Sequence, residues 1–325
     1  MKKSFASTVA AGLLALSCTA AFGADMMPRK AAALPPPPPP SPWDIAFGAS
    51  GSTDYIWRGI TQSNHKPSVT AYTELRYNVS PALQFYGGMA GNSISFPNQA
   101  AGEFDFFGGF RPTFGALALD FGAQYYYYPG GTCYFAGLAG CLAAPLGNFV
   151  AKENWSFWEV YAKGVWTITD QWALGFNVFG TSNILNTGAS GTYVSGTAKY
   201  TAPTSAAVGG IGWYISGEVG EQFLGTSDAF YGTGIPGNPY QFGTPYQDYL
   251  TWNVGVGFTW KVFTLDLRYY DTNLSKGDCA VYTSAYNATF SAPVSNYNPL
   301  GVASNWCGER FVAKLAFDMT LGALK

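Results

Sequence analysis

The chain has 325 residues, of which 48% are hydrophobic, 17% aromatic and only 11% charged, and its formal net charge is −2. Soluble domains average about 25% charged residues, so this composition is typical of a chain that places much of its surface against lipid. The acidic balance excludes the basic excess that nucleic-acid binding requires. After the N-terminal segment there is no uninterrupted apolar run of transmembrane-helix length, which favours a membrane β-barrel.

Residues 1–23 are predicted to be a secretory signal peptide. Two lysines precede an apolar run from Val9 to Leu16, and Ala21-Phe22-Gly23 is a small-x-small cleavage site. Lipidation at Cys18 is the alternative, but Ala15 stands where a lipoprotein cleavage box usually has a larger aliphatic residue. Cleavage leaves 15 basic residues against 19 acidic ones, a net charge of about −4.

Residues 24–42 are predicted to be a proline-rich periplasmic linker. Pro35 to Pro40 form an uninterrupted run, followed by Ser41 and Pro42. Such a run forms a stiff polyproline II spacer that cannot bury a core. It is either a tether ahead of the first strand or a ligand for a partner in the cell envelope.

Residues 43–325 show a recurring period-two alternation, which predicts an all-β, transmembrane, antiparallel up-and-down β-barrel of about 12 strands (10–14). In 309–321, for example, Phe311 and Leu315 share one face and Lys314 lies on the other. The predicted strands span 44–58, 68–78, 82–94, 103–114, 117–128, 154–167, 171–180, 195–202, 210–222, 248–260, 262–272 and 309–321.

The predicted connections alternate in length, as expected of a barrel with short periplasmic turns and long outer loops. The tight ones are 78–82, 114–117, 167–171 and 260–262, and the long ones are 129–153, 181–194, 223–247 and 273–308. The segment 201–210 lacks a clean turn signal, so the bounds of the eighth and ninth strands are the least defined.

Charged side chains are assigned to the lumen, because Arg or Lys on the lipid face at mid-depth costs about 2–4 kcal/mol. The acidic lumen set is Asp44, Asp54, Glu74, Glu103, Asp105, Asp120, Glu159, Glu218, Asp266 and Asp318. The basic set is Arg58, Arg76, Arg111, Lys163, Lys199, Arg268 and Lys314. Either facing rows of charge set a field across a water-filled constriction, or the same residues pair and fill a narrow barrel. The acidic excess predicts a weak cation preference if a pore exists.

Four cysteines follow the signal segment, and an even number in an exported chain favours disulfides. Sequence-local pairing predicts Cys133–Cys141 and Cys279–Cys307, each closing one loop. A metal site is the weaker interpretation, because neither a CxxC spacing nor a nearby histidine supports it.

No catalytic constellation is evident, and neither an enzymatic activity nor a cofactor is expected. The single histidine, His65, falls in the first outer loop beside Lys66 and Pro67, where it is expected to be exposed. A barrel hydrolase would need it on the wall beside an acid or a serine. The run Tyr125-Tyr-Tyr-Tyr128 is either an interfacial girdle or a platform for stacking sugars.

The segment Asp54-Tyr-Ile-Trp-Arg-Gly-Ile-Thr-Gln-Ser63, followed by Lys66-Pro67, resembles the signature of the TorF-type porin family, a group of proteobacterial conserved hypothetical proteins. The likeness continues through Phe85-Tyr-Gly-Gly-Met-Ala-Gly-Asn-Ser-Ile-Ser-Phe96, Glu103-Phe-Asp-Phe-Phe-Gly-Gly-Phe110 and Leu265-Asp-Leu-Arg-Tyr-Tyr-Asp-Thr272. The resemblance implies an outer-membrane barrel with a porin role, without a defined substrate. The linker and the cysteine-bearing segments depart from the family core.

Within that segment, alternation sends Asp54 and Arg58 to the lumen and Tyr55 and Trp57 to the lipid interface. Asp54 and Arg58 lie about 13 Å apart along one strand face and cannot pair directly. Each is therefore expected to find a partner on a neighbouring strand near the pore mouth.

These observations predict a porin in the outer membrane of a Gram-negative bacterium, a passive diffusion channel for small hydrophilic solutes with a weakly cation-preferring lumen. The alternative is a non-conducting structural or surface-recognition barrel that acts through its disulfide-closed loops. The expected partners are outer-membrane lipid, small polar solutes and the barrel-assembly machinery, and the sequence leaves homo-oligomerisation open.

Overall fold

The structure is a computed structural model that describes residues 42–135, 138–139 and 150–324. The predicted signal peptide and nearly all of the predicted linker lie outside the described residues. Twelve long strands form one closed antiparallel barrel, in which each strand pairs with the next along the chain and the last pairs with the first. In chain order they are β1 (Trp43–Ser52), β2 (Ser68–Ser80), β3 (Leu83–Asn92), β4 (Glu103–Phe114), β5 (Leu117–Tyr127), β6 (Phe157–Thr167), β7 (Trp172–Thr181), β8 (Gly191–Thr201), β9 (Gly212–Leu224), β10 (Tyr249–Trp260), β11 (Phe263–Thr272) and β12 (Arg310–Thr320).

The predicted fold class is confirmed, and most strand bounds agree within a few residues. The largest difference is at β1, which ends at Ser52 instead of continuing to residue 58. β8 begins at Gly191, four residues earlier than predicted. The connection between β8 and β9 turns through Gly209 and Gly210, whose φ values of 60° and 79° suit glycine.

The outward face of the barrel is apolar along its strands. Val160, Val254 and Leu315 are 64%, 53% and 56% exposed, and they alternate with residues that face the lumen. A sheet with this pattern presents its apolar face to lipid and its polar face to the interior. Among the described residues, none of the helices has the length and apolar character needed to cross a bilayer.

The long connections at one end of the barrel pack together into a cap that has its own apolar core. Phe96, Trp155, Tyr282 and Trp306, which come from three different connections, are all buried in it. The helix α1 (Lys276–Thr283) is part of the cap, and the hydroxyl of its N-cap Ser275 accepts a hydrogen bond from the backbone NH of Asp278. We call this set of packed outer connections the cap.

The remaining elements are short. Two-residue strands lie at Ile56–Trp57, Ile60–Thr61, Tyr134–Phe135, Leu138–Ala139 and Val150–Ala151, and 3₁₀ turns at Ile184–Asn186, Thr204–Ala206, Ala229–Tyr231 and Leu321–Leu324.

Candidate functional site: a strut across the lumen

The chain leaves the wall after β1 and turns into the barrel. Ile56–Trp57 pairs with Ile60–Thr61 as a small hairpin whose turn residues, Arg58 and Gly59, have φ values of 49° and 79°. A Cβ on Gly59 would lie 2.3 Å from the Thr272 methyl carbon, so glycine is required for the turn to fit. The prediction that β1 continues to residue 58 is therefore wrong, because backbone direction changes at residue 53 although the alternation of residue types continues.

Arg58 spans the lumen and binds the opposite wall. Its two guanidinium Nη atoms donate to the Glu159 carboxylate at 3.0 and 2.7 Å, and Nη1 also donates to Gln222 Oε1 at 2.9 Å. Glu159 lies on β6 and Gln222 on β9, whereas the hairpin begins at β1. We call Arg58 with these two partners the Arg58 strut.

The strut is dry. The side chains of Arg58 and Glu159 are only 5% and 0% exposed. The guanidinium carbon lies 4.2 Å from the centre of the Trp57 ring and 4.9 Å from that of Phe179, a cation–π arrangement. Burial alone would lower the pKa of Arg58, but the Glu159 carboxylate outweighs it and the pKa is raised, so the guanidinium is charged.

Two buried tyrosines on the barrel strands add hydrogen bonds to the strut. Tyr249, 1% exposed, donates its hydroxyl to the carbonyl of Arg58 at 3.1 Å. On the other side Tyr126 donates to Glu159 Oε2 at 3.0 Å. Gln222, Tyr126 and Tyr249 are uncharged strand residues, and none of them was predicted as a partner of Arg58 or Glu159. Gln222 lies four residues after Glu218 on the same face of β9. This shared face indicated from the sequence that Gln222 points into the lumen.

Asp54 anchors the inward hairpin to the residues that follow it. Its side chain is buried and does not line an open pore. Its Oδ1 accepts hydrogen bonds from the hydroxyls of Thr61 (2.5 Å) and Ser63 (2.8 Å), and Oδ2 lies 3.1 Å from His65 Nδ1. The Arg310 side chain of β12 contacts the His65 ring. His65 is thus a partly buried loop residue, not the freely exposed one that was expected.

Tyr55 and Trp57 do not reach the lipid interface, which corrects the sequence prediction. Tyr55 donates to Glu103 Oε1 at 2.6 Å inside the barrel, and Trp57 packs against the apolar core of the cap. Tyr128 donates to the other oxygen of Glu103 at 2.8 Å. Burial raises the pKa of both tyrosines well above the usual value, so each remains a hydrogen-bond donor.

Glu103 and Asp105, neighbours on the same face of β4, share the amide of Asn92. Asn92 Nδ2 donates to Glu103 Oε1 at 2.8 Å and to Asp105 Oδ2 at 3.0 Å. Both acids are buried, at 2% and 6% exposure. Neither carboxylate is therefore exposed to solvent as a group in an aqueous constriction would be.

A different environment lies between the strut and the short-turn end of the barrel. There Arg111 makes a two-point contact with Glu74, with both nitrogen–oxygen distances 2.8 Å, and lies 3.3 Å from Asp120. Arg76 also pairs with Glu74, at 2.5 Å. The Arg111 side chain is 23% exposed and that of Asp120 is 19% exposed. We call this partly exposed, charged half of the lumen the vestibule.

A second ion-pair network lies across the vestibule. Arg268 Nε donates to Asp266 at 2.9 Å, and its Nη atoms bond to Asn253 and Ser216 at 2.6 and 2.7 Å. Tyr214 donates to Asp266 Oδ2 at 2.7 Å. The arginines of the vestibule are therefore all paired.

The other predicted lumen residues differ in their partners. Lys163 and Lys199 lie over the rings of Tyr161 and Tyr214, with nitrogen-to-centroid distances of 4.0 and 4.2 Å. Three acidic residues accept hydrogen bonds: Glu218 from Tyr193 and Asn253, Asp318 from Tyr72, and Asp44 from the backbone NH of Gly322. Lys314 lies opposite Asp266 in the pairing of β11 with β12.

The structure contains the disulfide Cys279–Cys307, with the Cα atoms 5.9 Å apart. Cys133 is also disulfide-bonded, but its predicted partner Cys141 lies outside the described residues. The segment around Cys307 pairs with the strut hairpin, because Cys307 forms a β-bridge with Ile60 and the NH of Thr61 donates to the Trp306 carbonyl at 3.0 Å. The disulfide thus stabilises the segment against which the hairpin rests.

The sequence model of the Gcw_chp family, described as a bacterial protein of unknown function, matches residues 37–296. The chain belongs to this family. The matched range includes the strut hairpin and β1 to β11 of this Gcw_chp chain. The resemblance to TorF-type porins is a finer assignment and stays a prediction. A comparison with curated proteins found no match.

Several solved structures are similar in fold to this Gcw_chp chain. They include the NanC porin (8% identity, TM-score 0.40, 85% of this chain and 98% of that one) and LpxR from Salmonella typhimurium (8%, 0.41, 84% and 99%). Outer-membrane-expressed OmpT of Vibrio cholerae is similar at 10% identity and a TM-score of 0.37, over 86% and 99% of the two chains.

Proposed function

We propose that this protein is an outer-membrane diffusion channel for small hydrophilic solutes that is closed in its resting state. The observation that supports this most strongly is the Arg58 strut, a buried salt bridge between an inward loop and the opposite wall. A gate of this kind would let the barrel remain intact while the passage is shut. The proposed partners are outer-membrane lipid, the assembly machinery and small polar solutes.

The vestibule supports an aqueous path up to the strut. Its ion-paired side chains keep 14–23% exposure, apart from Glu74 at 6%, whereas Arg58 and Glu159 in the strut keep 5% or less. Charged groups that retain contact with solvent favour entry of polar solutes over apolar ones. With the acids in excess over the bases, we expect a weak preference for cations once the path is open.

Arg58 lies on a loop and not on the wall, so its replacement need not disturb the β-ladder. Arg58 adopts a positive φ of 49°, a conformation that costs a non-glycine residue about 1–3 kcal/mol. The salt bridge and the Asp54 hydrogen bonds offset that cost. Weakening these contacts is therefore expected to release the hairpin.

The proposal includes no catalytic step. The single Ser63 hydroxyl proton has two acceptors within hydrogen-bond distance, Asp54 Oδ1 and the Lys66 carbonyl, an arrangement that suits loop anchoring more than activation of a nucleophile by His65.

Liposome swelling on small uncharged sugars tests the proposal. Vesicles with the wild-type protein are expected to swell slowly, and those with Arg58→Gln/Glu159→Gln several-fold faster, because no buried charge then bridges the lumen. The control is Lys66→Met, which changes an exposed loop lysine beside the hairpin. Equal rates for all three proteins, each shown to be folded by heat-modifiable gel migration, would contradict the gate.

A second candidate function is favoured by the completeness of the ion pairing. Every vestibule arginine is paired and the side chains that bridge the lumen are buried, as expected of a barrel that does not conduct. In that case the protein is a structural or surface-recognition barrel acting through its cap. Absence of swelling even in the double variant would favour this function over the channel.

A further inference from the structure

The cap contains a cleft that shares no lining residue with the strut. The cleft has a volume of about 410 Å³ and lies between the first turn of α1 and the segment 291–298. Its walls include Lys276, Ser291 and Tyr297. Sites for small molecules usually measure about 300–1,000 Å³, so the space suits one or two sugar rings.

The walls of the cleft are held in place by hydrogen bonds between their own residues and neighbouring segments. Asn298 is buried, and its side chain donates to the carbonyl of Val302 at 2.9 Å and accepts from the same residue's NH at 3.0 Å. The NH of Ala292 donates to Gly301, and the NH of Ser304 donates to the carbonyl of Lys276. The neighbouring Cys279 is in the disulfide. A ligand would therefore meet a rigid surface, which limits the entropy lost on binding.

The chemistry of the walls is that of a saccharide site with one cationic group. Lys276 is the only charged residue that lines the cleft, is exposed, and forms no ion pair within the described part of the chain. The Tyr297 hydroxyl hydrogen-bonds with Asp278, which fixes the ring at the wall. Aromatic rings stack against the apolar faces of sugars, and the hydroxyl of Ser291 can donate or accept.

We propose that this cleft binds an acidic saccharide, with its carboxylate or phosphate on Lys276 Nζ and a ring face against Tyr297. The proposal rests on the outer-membrane orientation given above, in which the cap faces outward. The sugar then comes either from the lipopolysaccharide core of the same membrane or from free acidic sugars outside the cell. The helix N-terminus is not the anion site, because Ser275 already caps it.

Calorimetric titration of the full, detergent-solubilised protein tests the inference without any need for conduction. The probes are sodium glucuronate, glucose, and deacylated lipopolysaccharide core oligosaccharide. Saturable binding of glucuronate identifies free acidic sugar as the source, and binding of the core oligosaccharide alone identifies lipopolysaccharide. Binding of neither, or equal affinity for glucose and glucuronate, overturns the inference.

Variants locate the site. Lys276→Met is expected to raise the Kd about tenfold or more, as loss of a charged hydrogen bond does, while Lys276→Arg remains near the wild type. The matched control is Lys66→Met, an exposed lysine on another loop. An unchanged Kd in Lys276→Met overturns the inference. If the vesicles do not swell but the protein still binds the saccharide, the result contradicts the proposed channel and leaves the saccharide site intact.

Discussion

The guanidinium of Arg58 has acceptors on two strands of the opposite wall and aromatic rings on its faces. Such a side chain is costly to desolvate, and removal of one partner leaves an uncompensated buried charge. The same contacts join the inward hairpin to the far side of the barrel. At the scale of single residues, closure and stability of the lumen are therefore coupled through one ion pair.

Replacing one member of this pair should destabilise the barrel more than replacing both. We expect Glu159→Gln or Arg58→Gln to lower the free energy of unfolding by about 3–5 kcal/mol, and the double variant to lose less than either single variant. Urea unfolding in lipid vesicles, followed by tryptophan fluorescence, gives the coupling energy. Strictly additive losses would contradict a direct buried pair.

Arg111 should set the ion preference of the vestibule. In the Arg58→Gln/Glu159→Gln background, Arg111→Gln leaves Asp120 without its ion pair and Glu74 with Arg76 alone, so cation preference should rise. The measurement is the reversal potential under a salt gradient, with Lys66→Met in the same background as control. An unchanged reversal potential in a conducting Arg111 variant would be inconsistent with a place for Arg111 in the ion path.

The sequence predicts which residues face the lumen better than it predicts their partners. Parity along a strand is local, so Glu74 and Arg111 could be assigned to the interior from their neighbours alone. The partner of Arg58 depends on how far the hairpin enters the barrel, which follows from long-range packing. The hydrogen bonds of Asp54 within the hairpin connection could not be predicted from the sequence for the same reason.

At the scale of elements, the inward hairpin depends on a neighbouring connection. Ile60 and Thr61 pair with the backbone of Trp306 and Cys307, and the disulfide ties that segment to α1. The hairpin is therefore stabilised from two directions, by the strut inside the lumen and by the cap above it.

Removing the disulfide should loosen the hairpin without opening the wall. A bridge that spans 28 residues stabilises a fold by about 3.6 kcal/mol in the chain-entropy account. Cys279→Ser/Cys307→Ser is expected to increase the frequency of brief channel openings, and reductant should do the same to the wild type. Recordings of the serine variant with and without reductant supply the control. Openings no more frequent than in the wild type would show that the hairpin does not depend on this bridge.

The strands could be predicted because period-two alternation is a local property of the sequence. The turn of residues 53–61 into the barrel could not be predicted in this way. Tyr55 and Trp57 continue the alternation of β1, so the pattern alone favours a longer strand. The Arg-Gly pair at the hairpin turn was the available contrary signal, since two-residue turns need positive φ. The packed cap could not be derived, because its core joins side chains from distant connections.

At the scale of the whole molecule, a belt of exposed apolar residues surrounds a polar interior. This arrangement is stable only where lipid covers the belt. The closed twelve-strand ladder leaves the barrel itself without an edge strand, which removes the usual route to aggregation through sheet edges.

A charge placed on the belt should therefore interfere with membrane folding. Val254 lies near the middle of β10 and is 53% exposed, so Val254→Arg is expected to cost about 2–4 kcal/mol. The matched control is Val294→Arg on the cap, where the valine is 73% exposed and should cost little. Folding yield into vesicles measures both, and equal yields would contradict a lipid-facing β10.

The most direct test of a closed, Arg58-gated barrel is single-channel recording in a planar bilayer, with wild-type protein and Arg58→Gln/Glu159→Gln side by side. The account predicts a wild type that is silent or opens only rarely, and a double variant with stable steps and a cation-leaning reversal potential. Steady large conductance in the wild type, or a folded double variant that never conducts, would contradict it.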